Sequence, residues 1–228
     1  MIAADIFVVA ATGKVEDVTY FIDKKNIDVN ARGQRQRTPM HQAAAAGNVD
    51  VMKFLKNRGA DVYLTDEGGL SPMGSAIACN KPESIKCLVK DCGVNVEAGY
   101  DIWTTPLFMA AGIGQIDCIK CLVSDCGANV NAKDGDGATP LFTAVQAGQI
   151  NSIKCLKNLG ANVDEIDGQD CTPIFMAVFS GNVECMECLK NLGAKLNITA
   201  GNGMTLMDLA KKVGHPQVIE WLNKNNVR

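Results

Sequence analysis

Thr105-Pro106-Leu107-Phe108-Met109-Ala110-Ala111 repeats the pattern of Thr38-Pro39-Met40-His41-Gln42-Ala43-Ala44, and the spacing of such stretches decides the fold. The pairs Thr38-Pro39, Ser71-Pro72, Thr105-Pro106, Thr139-Pro140 and Thr172-Pro173 step by 33, 34, 34 and 33 residues, and Thr205-Leu206 comes 33 later. Gly13, Gly47, Asn80, Gly114, Gly148, Gly181 and Gly214 form a second column on the same period. Ile22, Leu55, Leu88, Leu122, Leu156, Leu189 and Leu222 form a third. Three columns on one period make the chain an array of repeated units. Its 228 residues are close to seven times 33.

Each column has a physical task. Thr then Pro starts a helix, because the hydroxyl caps free N–H groups and Pro sits where its missing N–H costs nothing. About eight residues later Gly, or Asn80, ends that helix in a left-handed conformation. A second helix follows with apolar residues at i, i+3 and i+4 spacings, as in Val49, Met52 and Leu55. It stops at Gly59-Ala60, Gly93-Val94, Gly127-Ala128, Gly160-Ala161 and Gly193-Ala194. An extended stretch and a turn such as Asp134-Gly135-Asp136-Gly137 close the unit. From Leu88 to Gly93 and from Leu122 to Gly127 is five residues, against four from Leu55 to Gly59. The additional residue of the 34-residue units therefore falls at the end of the second helix.

The stretches quoted above, with Gly127-Ala128-Asn129-Val130-Asn131-Ala132, resemble the ankyrin-repeat family in order and spacing across essentially the whole chain. The resemblance implies an all-α ankyrin-repeat solenoid: stacked helix-turn-helix pairs joined by β-hairpin-like finger loops. It places one domain over 1–228, with repeats at about 1–32, 33–65, 66–99, 100–133, 134–166, 167–199 and 200–228. The first and last repeats, which lack a full Thr-Pro pair, are expected to cap the stack with a more polar outer face. The family usually carries His two residues after Pro, but only His41 keeps it; Gly74, Phe108, Phe142, Phe175 and Asp208 replace it. The finger-turn position that favours Gly is Gly69, Gly137 and Gly203 in three repeats and Gln36, Trp103 and Asp170 in the others. A tryptophan with positive φ is costly, so the 100–104 finger is expected to be reshaped.

Composition narrows the function classes. A formal net charge of −3 argues against a nucleic-acid partner, because phosphate contacts need clustered positive charge. No run of 18 apolar residues occurs, so no membrane span is expected. The apolar N-terminus carries Asp5 with no basic residue before it, unlike a secretory signal. Ten cysteines in such a chain read as reduced thiols in the cytoplasm or nucleus.

Cys118-x-x-Cys121 and Cys185-x-x-Cys188 invite a zinc or redox reading. Their places in the repeat favour core packing, since Cys87, Cys121, Cys155 and Cys188 share a column with Phe54, Tyr20 and Trp221. The two CxxC pairs lie two repeats apart, roughly 20 Å at ordinary helix spacing. A tetrahedral zinc needs four sulfurs at about 2.3 Å. Cys79, Cys92, Cys126 and Cys171 lie near helix ends or loops and are the more reactive set. The histidines, His41 and His215, fall on structural positions of the family. The Asp134 turn is not a calcium loop, because its twelfth residue is Val145 rather than Glu. No metal, cofactor or catalytic residue is expected.

What remains is surface. In the family, fingers and first helices line a concave groove that grips partner proteins. The corresponding positions here are Arg35 and Arg37 in the second repeat, Leu70 in the third, and Ile102, Trp103, Met109 and Ile113 in the fourth. Gln146 follows in the fifth, then Gln169, Met176 and Phe179 in the sixth. Large apolar side chains at groove positions point to partner contact. Arg32, Arg35 and Arg37 crowd one finger, and Asp164, Glu165, Asp167 and Asp170 another, which would polarise the groove. The expected function is a monomeric, non-catalytic scaffold that binds a partner protein through the groove. The alternatives are a proteasome-type assembly chaperone, similar in architecture to gankyrin, and a thiol-based redox sensor.

Overall fold

The computed structural model describes residues 5–99 and 105–227. Among them are fourteen α-helices, and the only β pairing is a single bridge between Thr199 and Thr205. The helices come in pairs: α1 (Ile6–Thr12) with α2 (Val15–Thr19), α3 (Pro39–Ala46) with α4 (Val49–Asn57), and α5 (Pro72–Ala78) with α6 (Pro82–Lys86). Then come α7 (Pro106–Ile113) with α8 (Ile116–Lys120), α9 (Pro140–Gln146) with α10 (Ile150–Asn158), α11 (Pro173–Phe179) with α12 (Val183–Asn191), and α13 (Leu206–Val213) with α14 (Pro216–Lys224).

Five first helices begin at the proline of their Thr-Pro or Ser-Pro pair. The Ser71 and Thr139 hydroxyls accept from the N–H groups of Gly74 at 3.3 Å and Phe142 at 3.4 Å. Thr172 departs from this: its side chain makes no capping bond, and the Phe175 N–H turns to the Thr172 carbonyl at 2.9 Å. In the glycine column, six of the seven positions have positive φ, from 50° at Asn80 to 86° at Gly47. Gly13 is the exception, extended at φ −89° and ψ −179°. Its N–H closes on the Val9 carbonyl at 2.8 Å, so the first helix ends without a left-handed residue.

The 33- and 34-residue units differ where the sequence places the difference. In the shorter ones the second helix stays α-helical, and Ala60, Ala161 and Ala194 donate to Leu55, Leu156 and Leu189 five residues back. In the longer ones Cys87–Asp91 and Cys121–Asp125 form π-helical turns, and Val94 and Ala128 reach six residues back to Leu88 and Leu122. A π turn is how a helix absorbs one inserted residue without losing its register. Tyr20–Lys24 does the same, with Ile27 bonded to Phe21. Phe21, rather than Ile22, is therefore the first repeat's counterpart of the leucine column.

The described residues pack as two compact units, one within Met1–Met109 and Lys120–Ala128, the other within Ala110–Ile119 and Asn129–Arg228. In the first, α1, α3 and α5 stack side by side, and α2, α4 and α6, with the π turns that follow α2 and α6, form the layer behind. In the second, α9, α11 and α13 stack, backed by α10, α12 and α14. The contact between neighbouring first helices explains a fourth column. Ala10, Ala43, Ala76, Ala110, Ala144, Ala177 and Ala210 are all fully buried, where only a methyl group fits between close helices. From Leu55 to Leu222 the leucine column is equally buried. Aliphatic side chains on this period supply the core of each unit, which is why so few aromatics suffice.

The fingers are hairpin-like turns closed by one bond each: Gly33 to Arg37 at 2.8 Å, Asp66 to Leu70 at 2.8 Å, Asp134 to Ala138, Asp167 to Cys171 and Ala200 to Met204 at 3.0 Å. The turn position is left-handed throughout the described fingers. Its φ is 77–79° at Gly69, Gly137 and Gly203, and 58° and 55° at Gln36 and Asp170. Trp103 and its finger lie outside the described residues. Two of these glycines separate conformation from space. At Gly69 a Cβ would meet nothing, whereas at Gly137 it would lie 2.8 Å from the backbone nitrogen of Gly168 in the next finger. Gly69→Ala is expected to cost about 1 kcal/mol in urea unfolding, from left-handed strain alone. Gly137→Ala is expected to cost about 2–3 kcal/mol, because it also wedges two fingers apart.

Candidate functional site

The basic finger of the first unit is largely consumed by the scaffold. Arg32 Nη1 donates to the Gln36 carbonyl at 2.7 Å and also to the Thr65 carbonyl of the next finger. Arg37 Nε donates to Asp66 Oδ2 at 3.0 Å. Asp66 Oδ1 in turn accepts from the N–H groups of Gly68 and Leu70 at 2.9 and 3.0 Å. These bonds hold the Asp66 carboxyl below its usual range even though burial opposes them. Arg37 therefore orders the following finger, and Arg35, held at φ 54° with its side chain exposed, is the arginine displayed to solvent. Leu70 is half-buried and folds over Gly74, the small residue that makes room for it.

His41 sets the pattern that later repeats abandon. Its Nδ1 lies 3.1 Å from the Thr38 backbone nitrogen, and its Nε2 2.9 Å from the Leu70 carbonyl. A backbone N–H only donates, so Nδ1 is bare and Nε2 carries the proton. The ring thus ties the helix start to the next finger. Burial of the ring pushes its pKa below the ordinary 6.5. The neutral form is favoured in the fold, so this stability is present above pH 6.5 and lost as pH falls through the lowered folded value. Between about pH 7.5 and 5.5, the urea midpoint of the wild type is expected to fall more than that of His41→Gln.

In the second unit the equivalent residues are Phe142 and Phe175, buried at 4% and 3% exposure. A phenyl ring cannot bond a finger carbonyl, and two depressions open beside these rings, the larger one mixed in polarity and the smaller one mainly apolar. One depression of about 850 Å³ is lined by the 133–138 and 167–169 finger segments with Phe142, Thr143, Gln146 and Met176. A second, of about 350 Å³, is lined by Phe142, Phe175, Met176, Phe179, Met204 and Leu209, with Gln169, Cys171 and Lys212 among its other lining residues. The two share Phe142, Asp167, Gln169 and Met176, and so adjoin. Phe179 is 57% exposed at the end of α11.

Of the residues singled out in the sequence, Gln146, Gln169, Met176 and Phe179 come together here. Met109 is half-buried on α7 and Ile113 is exposed near its end, and neither lines these depressions. Ile102 and Trp103 lie outside the described residues. The aromatic lining from Phe142 and Phe175, and the contribution of Met204 and Leu209, are additions. The signal for Phe142 and Phe175 in the sequence is phenylalanine two residues after Pro where the family carries histidine. The acidic finger is also mostly engaged. Glu165 pairs with Lys133 at 2.9 Å, Asp164 accepts from the Lys195 N–H at 3.0 Å, and Asp167 Oδ1 accepts from two N–H groups of its own turn.

The cysteines of both CxxC pairs are buried in the second-helix layers. Tyr20, which shares their column, is exposed at the edge of the first unit. His215 packs on Gly181 and its Nε2 lies 3.2 Å from the Phe179 carbonyl, a structural contact like that of His41. No described helix is long and apolar enough to cross a membrane.

Comparison with known proteins agrees with this architecture. Family models described as ankyrin repeats match residues 6–99, 73–167 and 154–189. The human ASB11 ankyrin repeat domain superposes with a TM-score of 0.73 at 24% identity, covering 96% of this chain and 97% of that one. The ankyrin repeat domain of Bcl-3 gives 0.75 at 21%, covering 96% and 98%. Among curated proteins, alpha-latrocrustotoxin-Lt1a of Latrodectus tredecimguttatus is 37% identical over 71 residues, 31% of this chain and 5% of the toxin. The 26S proteasome non-ATPase regulatory subunit 10 of Dictyostelium discoideum is 28% identical over 87 residues, 38% of each chain. The matched stretches thus span well under half of these relatives' own lengths. Ankyrin-repeat proteins generally serve as protein-interaction scaffolds. The extent of the family-model match, over most of the chain, places this protein in the ankyrin-repeat family.

Proposed function

We propose that this chain is a non-catalytic scaffold that docks a partner protein on the depressions between its later fingers and first helices, with the smaller, apolar one as the anchor. The observation that carries the reading is the exposure of Phe179 beside Met176, Met204 and Leu209, lined by the rings of Phe142 and Phe175. Apolar anchors in a pocket rimmed by polar groups are where binding energy concentrates. Gln146, Gln169 and Lys212 supply hydrogen bonds and charge at the rim, and Arg35 and Leu70 offer a second contact area in the first unit. A scaffold of stacked helices holds these groups in place before binding, which lowers the entropy cost of association. The matching partner is a segment presenting one or two large apolar side chains. The proposal places the protein as a monomer in a reducing compartment, the cytoplasm or nucleus. Cys171 lines the smaller depression and gives a test. With the partner bound, its alkylation by maleimide is expected to slow at least about tenfold while exposed Cys79 is unaffected. Unchanged alkylation of Cys171 in the complex contradicts the proposal.

A second reading, an assembly factor for proteasome subunits, is supported by the likeness to the Dictyostelium regulatory subunit over 87 residues. Co-purification with proteasome ATPase subunits supports that reading, and their absence from the captured material removes it.

A further inference from the structure

Cys87-Leu88-Val89-Lys90-Asp91-Cys92-Gly93 and Cys121-Leu122-Val123-Ser124-Asp125-Cys126-Gly127 differ at one position. Residues five apart on an α-helix point about 140° away from each other. These segments are π-helical, and a π turn stacks residue i beneath i+5. The Cys92 N–H donates to the Cys87 carbonyl, and the Cys126 N–H to the Cys121 carbonyl, each at 3.0 Å. Within each pair the neighbouring thiol is the largest influence on titration, pushing Cys87 and Cys121 up and Cys92 and Cys126 down. The first repeat's π turn gives an independent check. There Lys25 Nζ lies 5.6 Å from the ring centroid of Tyr20, five residues before it. Stacking by one turn sets the Cα atoms roughly 5–6 Å apart, inside the span of about 4.4–6.8 Å that a disulfide bridges.

The surroundings also repeat. Lys53 pairs with Asp91 at 3.1 Å and Lys86 with Asp125 at 3.0 Å, one lysine from the preceding repeat beside each dithiol. The pairs differ in access: Cys87 and Cys92 are both buried, whereas Cys121 is buried beneath a half-exposed Cys126. Cys121 Sγ is held by a 3.3 Å contact to the Pro82 carbonyl. The neighbouring Cys121 thiol, with Lys90 and Lys86 nearby, holds the Cys126 thiol below its usual range against burial and Asp125, and its half-exposed position makes Cys126 the accessible nucleophile of the pair.

We propose that Cys121 and Cys126 form a modification site at which a hydroperoxide makes an intrahelical disulfide, with Cys87 and Cys92 a second and slower site. The Cys126 thiolate attacks one peroxide oxygen. The O–O bond breaks, the sulfenic acid forms, and the leaving oxygen takes a proton as water or alcohol. Cys121 then attacks the sulfenyl sulfur, the S–S bond forms, and the hydroxide leaves with the Cys121 proton as water. Two thiols lose two electrons and the peroxide gains them. This site is independent of partner docking, since it lies on second helices in the first unit.

Trypsin cuts after Lys120 and Lys133, so one peptide carries both sulfurs. The folded chain is treated with hydrogen peroxide, trapped with maleimide and digested. The 121–133 peptide is expected to lose both alkylation sites together and to appear about 2 Da lighter than the dithiol. Its loss should outpace oxidation of exposed Cys79, because Lys86 and Lys90 lie near Cys126 and neighbouring cations favour the thiolate. In Cys126→Ser the remaining thiol should stay alkylatable, and in Cys121→Ser dimedone should trap a sulfenic acid on Cys126. The proposal is overturned if the wild-type peptide keeps both thiols while Cys79 oxidises, if it loses only one, or if either sulfur links to another peptide. It is also overturned if the disulfide forms only after urea unfolds the chain. The wild-type measurement needs no variant to fold.

Discussion

Replacing Leu156 by alanine is expected to lower the free energy of unfolding by about 3 kcal/mol. Leu156 is fully buried on α10, and its carbonyl accepts the Ala161 N–H that ends the repeat. The loss combines the transfer energy of three carbon atoms with the cavity they leave, because neighbouring helices relax only in part. In a stacked array each repeat leans on its neighbours, so a hole in one layer weakens both adjoining contacts. Ala144 tests the same packing from the other side. It is fully buried on α9, which packs against α11, so Ala144→Leu adds volume where none is free and is expected to cost about 1–3 kcal/mol. Urea unfolding followed by helical circular dichroism reads both. A change below about 0.5 kcal/mol in either variant would mean that these columns are not the core.

Replacing Phe179 by aspartate is expected to weaken partner binding roughly 30- to 100-fold, about 2–3 kcal/mol, with little change in stability. Phe179 is more than half exposed, so the folded chain loses little packing when the ring is removed. The bond between the Phe179 carbonyl and His215 belongs to the backbone and survives the change. In the complex the ring would be desolvated, and a carboxylate in its place would be buried without a partner. Lys154→Glu, on the exposed side of α10, reverses a charge away from the depressions and should leave affinity within about twofold.

The fold was legible because its signals are local and periodic. Thr-Pro pairs mark helix starts, glycines mark stops, and the one-residue difference between units placed an additional residue at the end of two second helices, where the structure has π turns. The alanine column was present in the same quoted stretches, but its meaning depends on how closely neighbouring first helices approach, a distance set by packing. The site was only partly legible. Half-buried Met176 and exposed Phe179 could be placed by column, whereas Met204 and Leu209 reach the same depression from the next repeat. Charge was the least legible. Counting arginines and aspartates along the fingers suggested polarity, but Arg32, Arg37, Asp164 and Glu165 are spent holding neighbouring repeats to one another and Asp167 closing its own turn. The dithiols were hidden for a related reason. A spacing of five puts two cysteines on different faces of an α-helix, and only the π turn brings them together.

The most direct measurement is site-specific photo-crosslinking with a benzophenone amino acid placed at position 179 or, as a control, at 154. The expected result is an adduct from 179 to the protein that co-purifies with the wild type, and none from 154. An adduct from 154 with none from 179 would contradict docking on the depressions and move the interface to the second helices.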